Sequence, residues 1–217
     1  MRVCAVVPDF EATLSFERFS RYLGWAADDR DRALDLYALN TRLSEALYTP
    51  LQVLEVTLRN RVHVVLTEAR HDRWFDDDGF LLVENQILQL AKAHEDAHHK
   101  TTEPTPGDIV SSLTFSFWTS MLAKEYEVLW QTTLNRIARQ EDGRGQPRKD
   151  LSGPLTPIRT LRNRIAHHEP ILHWNLDKHY ANILRITGWL SPAAASWCKS
   201  HSRFREVWPV ERVTLHK

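Results

Sequence analysis

The chain has 217 residues, enough for one good hydrophobic core, and 42% of them are hydrophobic, which excludes an intrinsically disordered protein. Its 28 basic residues balance its 28 acidic ones, so any binding of nucleic acid must come from a local patch. The two cysteines, Cys4 and Cys198, make neither a disulfide framework nor a zinc ligand set. No stretch approaches the roughly 18 apolar residues of a membrane span. We therefore expect a cytoplasmic protein with no membrane partner.

Apolar residues recur at intervals of three and four through the first third of the chain. This spacing predicts a short helix over residues 16–24, which ends near Gly24. It also predicts a long amphipathic helix over residues 36–65, or two helices with a kink at Pro50.

The segment "HDRWFDDDGF" is predicted to be non-helical, with a turn at Asp78 and Gly79. A third helix should follow it and bury one stripe of residues: Val83, Ile87, Leu90 and His94. After the break "TTEPTPGD", Asp108 is expected to cap the next helix. That helix should point four residues inward: Val110, Leu113, Phe117 and Met121. Another helix is predicted over residues 126–137.

The polar segment "EDGRGQPRKDLSGP" is predicted to be a linker, after which Thr156 and Pro157 should start a new helix. Pro170 is expected to end that helix, because it forces Glu169 out of helical geometry. Two further helices are predicted, one over residues 176–190 and one that starts at Ser191. The pattern as a whole predicts an all-α, single-domain helical bundle of six to eight helices over residues 1–217.

One short sequence occurs twice, as "TLRNRVH" at residues 57–63 and as "TLRNRIAHHEP" at residues 160–170. On a helical wheel, the buried stripe of the second copy holds Ile158, Leu161, Ile165 and His168. Arg162, Asn163 and His167 share the opposite face around the small Ala166, and Asn163 and His167 are close enough to touch.

The first copy behaves in the same way on the wheel, because Arg59, Asn60 and His63 also face away from the predicted core. Wheel geometry therefore does not separate the two copies. A solvated polar face is the ordinary alternative for either helix.

A family resemblance does separate them. The sequence "RNRIAHH" fits the R-x(4–6)-H signature of the HEPN superfamily, with an asparagine after the arginine. The chain resembles the Abi-like (abortive infection) branch in "LSEALYTPLQVLEVTLRNRVH", "LTFSFWTSMLAKEYEVLW", "IRTLRNRIAHHEPI" and "ILRITGWLS". The likeness covers residues 30–190 in the right order. One departure is Ser116, which stands where glycine is usual in that family.

The resemblance implies an all-helical, often dimeric protein that acts as a toxin in phage defence through metal-independent endoribonuclease activity. It assigns Arg162 and His167 as the catalytic pair of an R-x4-H motif, with Asn163 beside them. His168 remains a secondary candidate, as do Arg59 and His63, whose substitution should leave the chemistry intact. The expected partners are an RNA substrate, a second copy of the chain, and an antitoxin protein or RNA. No metal or cofactor is implied.

The residue types suit this chemistry. RNA carries its own nucleophile, the 2′-hydroxyl, so cleavage needs proton carriers and a cation for the phosphate. Histidine transfers protons near neutral pH, and arginine binds phosphate through two parallel hydrogen bonds. Each motif offers one histidine, and two motifs facing each other in a dimer would offer two.

Residues 136–164 hold eight basic residues against three acidic ones. This excess could hold an RNA backbone, or it could belong to a solvated linker. The candidates for RNA binding are Arg148, Lys149, Arg159 and Arg164.

Two alternatives belong to other functional classes. The first is a non-catalytic RNA-binding or antitoxin-responsive module with the same fold. The second is a zinc hydrolase, because "HEDAH" matches the H-E-x-x-H pattern with His94 and His98 as ligands and Glu95 as the base. Asp96 inside the pattern and the lack of a third ligand disfavour zinc.

Overall fold

The computed structural model describes residues 10–140, 142–209 and 213–216, so that Cys4 and the chain around it lie outside the described residues. The α-helices are α1 (Phe10–Leu14), α2 (Phe16–Trp25), α3 (Arg30–Ala69), α4 (Glu84–His98), α5 (Pro106–Ser112), α6 (Phe115–Ser120), α7 (Glu127–Thr132), α8 (Arg148–Ala166), α9 (Leu176–Leu190), α10 (Pro192–His201) and α11 (Phe204–Val207). Short 3-10 helices lie at Trp74–Asp76, Lys124–Tyr126 and Leu134–Ile137. Within these ranges there is no strand, only one isolated bridge between Arg139 and Gly145, which confirms the all-α class. Nine of the described α-helices have six residues or more, slightly above the predicted number.

Helix α3 has 40 residues, about 60 Å in length, and helices α2, α6, α9, α10 and α11 pack on it. Its buried stripe repeats every three or four residues, as the sequence predicted: Ala33, Leu36, Asn40, Leu43, Leu47, Leu51, Leu54, Leu58, Val62 and Val65. The helix continues through Pro50, so the choice between one helix and two is settled in favour of one. Pro50 removes a backbone hydrogen bond, but the stripe is buried on both sides of it, and this burial holds the two halves in line.

The buried stripe predicted for α4 is wrong in part, since Val83 and Leu90 pack against the core but are only partly buried. Ile87 is 51% exposed, and the buried positions are Gln86, Ala93 and Ala97. The Gln86 amide donates to the carbonyl of Phe117 (3.0 Å) and accepts from the hydroxyl of Tyr126 (2.7 Å). A buried glutamine whose amide nitrogen and oxygen are both hydrogen-bonded does not appear in a pattern of apolar residues, which explains the error.

The predicted helix after the break at residues 101–108 is two helices, α5 and α6. Thr105, and not Asp108, is the N-cap of α5, and the Asp108 side chain returns the bond to the Thr105 backbone in a capping box. The four residues predicted to point inward are all buried: Val110, Leu113, Phe117 and Met121. The predicted helix over residues 126–137 is split into α7 and two 3-10 turns.

The predicted linker is half wrong, because α8 begins at Arg148, well before Thr156. Leu151 and Leu155 are buried, and they continue the apolar stripe of the motif back toward the start of α8. Pro154 and Pro157 therefore lie inside the helix, where packing of the stripe outweighs two lost backbone bonds. The last two large helices, α9 and α10, begin where they were predicted, with Asn175 and Ser191 as N-caps. Among the described residues, no helix is long and apolar enough to cross a membrane.

Candidate functional site

The motif lies at the C-terminal end of α8, where the helix stops earlier than the wheel assumed. Ala166 is its last residue, His167 is the C-cap, and His168 has a φ of 57° in the left-handed region. The backbone N–H of Glu169 donates to the carbonyl of Arg164 (2.8 Å), which makes this end a Schellman motif. His168 is exposed, so the prediction that it prolongs the core stripe is wrong.

Side chains fix the turn that follows the motif. Arg164 donates through Nε and Nη2 to the carbonyl of Pro170 (3.2 and 2.9 Å) and forms an ion pair with Glu169 (2.9 Å). The buried Asn40 of α3 accepts a hydrogen bond from the backbone N–H of Ile171 (2.7 Å). Arg164, a predicted RNA-binding residue, therefore stabilises the turn that follows the motif.

A cavity of about 300 Å³ lies between α3 and the end of α8. Its lining residues are Tyr48, Leu51, Gln52, Glu55, Val56, Arg59, Arg162, Ile165 and Ala166. Arg162 Nε donates to the Glu55 carboxylate (3.3 Å), and Arg59 lies one turn beyond Glu55 on α3. The structure thus brings the arginines of both sequence copies to one cavity. Glu55 was missed from the sequence, since it is 107 positions away from its partner.

The two other residues predicted to be catalytic, Asn163 and His167, have side chains without a bonding partner among the described residues. Asn163 and His167 are both exposed, and within the described part of the chain neither side chain forms a hydrogen bond or an ion pair. The two residues are joined only through the backbone, by the N–H of His167 and the carbonyl of Asn163 (2.9 Å). The His167 imidazole is therefore free to reach a bound molecule.

His63 of the first copy does not join this cavity. Its Nδ1 accepts a hydrogen bond from the indole Nε1 of the fully buried Trp74 (3.1 Å), and its ring is partly buried there. Burial lowers the pKa of His63 below its usual value of 6.5, against a smaller opposing effect of Asp72. The wheel placed His63 away from the core, because the sequence does not show that the chain returns after α3 and packs Trp74 on it. His63 is a packing residue.

The predicted RNA-binding residues differ in availability. The Arg148 side chain is 10% exposed and binds both Glu127 (2.6 Å) and the carbonyl of Leu122 (2.6 Å). Arg159 donates to the hydroxyls of Ser116 (3.2 Å) and Thr119 (3.4 Å). Lys149 is exposed, and among the described residues it has no hydrogen-bond or ion-pair partner.

The H-E-x-x-H segment is arranged differently from a zinc site. His94 Nε2 is bonded to the Asp76 carboxylate (2.7 Å), and His98 is exposed at the end of α4. Within the described ranges, no group of three or more His, Cys, Asp or Glu side chains is placed to hold a metal ion.

Comparisons of the chain with protein-family models, curated proteins and solved structures found no match.

Stability should fall as the pH drops below about 6.5, partly through His63. The ring is neutral in the folded protein at a pH where the unfolded chain already binds a proton, and protonation at Nδ1 would remove the acceptor for Trp74. His63→Asn keeps an acceptor near that position but does not titrate. We expect a smaller decrease of the urea midpoint between about pH 7.5 and about pH 5.5 in this variant than in the wild type. His98→Asn, at an exposed position, is the control, and an equal decrease in all three proteins would contradict the prediction.

Replacing His168 with glycine should stabilise the fold. A non-glycine residue in the left-handed region costs roughly 1–2 kcal/mol, and the added freedom of glycine in the unfolded chain offsets roughly 0.4–1 kcal/mol of that gain. We expect a net increase of about 0.5–1 kcal/mol in the free energy of unfolding, measured by urea denaturation. His167→Gly, at a position with negative φ, is the control and should not stabilise. A less stable His168→Gly protein would show that the imidazole makes a stabilising contact.

Proposed function

We propose that the protein is a metal-independent endoribonuclease of the HEPN type that acts as a toxin in defence against phage. The observation that carries the proposal is the end of α8, where the exposed His167 stands beside a cavity lined by Arg162 and Arg59. A proton carrier and two phosphate-binding cations at one concave surface are the groups that cleavage through the 2′-hydroxyl needs.

Each group has a role in this proposal. Arg162 and Arg59 bind the scissile phosphate and stabilise the negative charge that develops on it. His167 removes the proton of the 2′-hydroxyl or protonates the 5′-oxygen that leaves. Asn163 is a hydrogen-bond donor to the phosphate or the sugar.

Glu55 is a positioning residue. A guanidinium has five N–H donors, and the Nε of Arg162 is the one that binds the Glu55 carboxylate. The other N–H donors of Arg162 form no hydrogen bond within the described residues and can therefore bind a phosphate. Since Glu55 is only 22% exposed, it holds the guanidinium in one orientation before RNA arrives, which lowers the entropic cost of binding.

A symmetric dimer would complete the chemistry. One protomer offers one free histidine at this site, whereas the reaction needs an acid and a base. Tyr48 (63% exposed) and Val56 (36% exposed) give the rim of the cavity an apolar surface on which a second copy could pack. A two-fold interface there would bring two His167 side chains to one cleft.

A second candidate function is RNA binding without cleavage. The arginines around the cavity would suffice for it, and Glu55 would then limit how tightly Arg162 holds a phosphate. In this case an antitoxin protein or RNA would act on binding alone.

One experiment separates these functions. The purified protein is incubated with total RNA in the presence of EDTA, beside the Arg162→Ala/His167→Ala variant. We expect the wild type to cleave and the variant to be inactive. RNA that is bound but intact would favour the second function, and cleavage that EDTA abolishes would overturn a metal-independent mechanism.

His167→Ala should lower the cleavage rate by ~10²–10⁴-fold, the usual contribution of a general acid or base. The fold should survive, because the side chain is exposed and its backbone contacts do not need the ring. Single-turnover cleavage measures the rate, and circular dichroism measures the fold. His99→Ala, another exposed histidine, is the control. An active His167→Ala protein would remove this residue from the mechanism, and growth arrest on expression of the wild type alone would support the toxin role.

Arg59→Ala should weaken RNA binding and slow cleavage, in contrast to the expectation from the sequence, because Arg59 shares the cavity of Arg162. We expect a higher KM and a salt dependence of binding that is weaker by about 0.7 in logarithmic slope, the value for one lost phosphate contact on a single strand. Arg42→Ala, an exposed arginine of α3 outside the cavity, is the control. Kinetics indistinguishable from those of the control would show that Arg59 is not part of the site.

Ala166→Trp should prevent assembly of the active species while the protomer still folds. Ala166 is exposed at the mouth of the cavity, so an indole there would occupy the space that the partner or the RNA needs. Light scattering should give a dimer for the wild type and a monomer or an inactive dimer for the variant. Ala193→Trp, at an exposed position of α10, serves as the matched control. A wild-type monomer that cleaves RNA would rule the dimer out.

A further inference from the structure

A second concave surface, the basic groove, lies away from the motif. It is formed by α9, α10 and the turn after α7, with a volume of about 1260 Å³, against about 300 Å³ for the motif cavity. The lining residues that matter here are Arg61, Arg139, Asp150, Arg185, Trp189 and Lys199.

The groove has an excess of positive charge. Arg61, Arg139, Arg185 and Lys199 form no ion pair with any carboxylate in the described part of the chain. Of the other charged lining residues, Arg205 is paired with Asp177 (2.5 Å) and Asp142 with Arg144 (2.6 Å). Glu141 lies outside the described residues. Asp150 is in the first turn of α8, where the helix dipole stabilises its charge. Four unpaired cations thus face one unpaired described carboxylate, in a chain whose net charge is zero.

Two of the cations are held by neutral partners and keep their full charge. Arg61 donates to the carbonyls of Arg136 (3.0 Å) and Ile137 (3.3 Å), and Arg139 donates to the carbonyl of Gly143 (3.2 Å). Their guanidinium groups are therefore fixed in place without being neutralised. This arrangement favours binding of an anionic ligand, because the two side chains are already ordered and lose little conformational entropy when the ligand binds.

The groove also offers a flat surface. The Arg185 guanidinium lies 4.9 Å from the centre of the Trp189 ring, and Trp189 is partly exposed. Arginine and tryptophan planes are surfaces on which nucleic-acid bases stack, and they tolerate any base sequence. A planar surface among unpaired cations is suited to a strand that alternates bases and phosphates.

The groove and the motif cavity lie on different sides of α3. Arg59 lines the cavity and Arg61 lines the groove. Side chains two positions apart on an α-helix point in directions that differ by about 200°. A ligand in the groove therefore does not compete directly with one at His167.

We propose that the basic groove is a second RNA-binding site, which holds a single-stranded segment of the substrate outside the cleavage cavity. The proposal rests on the proposed function for the nature of the substrate. Arg61, Arg139, Arg185 and Lys199 bind phosphates, and the pair of Arg185 and Trp189 stacks on a base. The groove raises affinity for RNA without specifying a sequence.

The test uses a fluorescent oligouridylate with 2′-O-methyl groups, which cannot supply the nucleophile and therefore stays intact. Fluorescence anisotropy gives its affinity for the wild type, for Arg185→Ala/Lys199→Ala and for the control Arg42→Ala/Lys178→Ala over a series of salt concentrations. All four side chains are exposed, so both variants should fold, and both lose two positive charges. We expect about a tenfold loss of affinity near physiological salt for the groove variant, with a salt slope weaker by about 1.4, and little change for the control.

Other outcomes would overturn the proposal. A groove variant that binds like the control would show that RNA does not use the groove. If polyglutamate displaced the oligonucleotide as well as unlabelled RNA does, the groove would be a site for an acidic protein. A wild type that does not bind RNA at all would overturn the groove and the proposed function together. If binding depends on the groove but natural RNA is never cut, the proposed nuclease fails and the groove stands.

Discussion

The buried stripe of α3 is the constraint on which the rest of the molecule depends. Helices α2, α6, α9, α10 and α11 all contact α3, so its 40 residues set their relative positions. The stripe also fixes the motif, because Asn40 accepts the backbone N–H of Ile171 in an environment where only 5% of Asn40 is exposed. A buried N–H left without a partner costs about 1–3 kcal/mol, which ties the chain after α8 to this one place on α3. Glu55, which lies about four helical turns farther along α3, then meets Arg162 at the motif cavity.

How far the sequence predicts the fold depends on how much of each helix is apolar. Helices α3 and α9 were predicted well, since their buried residues are almost all aliphatic or aromatic and repeat at helical spacing. The buried face of α4 was not, because it consists of Gln86 and two alanines, which approach their neighbours closely and carry no strong hydrophobic signal. The start of α8 was missed for another reason. Its prolines are typical of a linker, but the burial of Leu151 and Leu155 stabilises a helix, and this burial outweighs the local preference.

The candidate site also combines features that the sequence predicts with features that it does not. The family resemblance, and not the spacing, singled out Arg162, Asn163 and His167 as candidates, and within the described residues the last two are exposed and have no side-chain partner. What periodicity could not supply was the end of the helix. The backbone bonds of the Schellman turn are accompanied by bonds from the Arg164 side chain to Glu169 and to the carbonyl of Pro170, which lie beyond the last helical residue. A wheel drawn through that turn assigns His168 to the wrong side. In the same way, nothing local to the first copy indicates that its arginine joins the cavity while its histidine packs on a tryptophan.

Under the proposed function, the two concave surfaces would contact different parts of one RNA strand. If two protomers pair through the cavity side of α3, the basic grooves lie on the other side and remain open in the dimer. An RNA long enough to occupy a groove and the shared cleft would have to pass around the protomer, and this requirement selects for flexible single strands over stiff duplexes. Affinity and cleavage would then depend on different residues: binding on groove cations such as Lys199, and chemistry on His167 and on assembly. Under the proposed function, a protein built this way would hold RNA as a monomer and cut it only as a dimer, so that assembly would control the proposed nuclease activity.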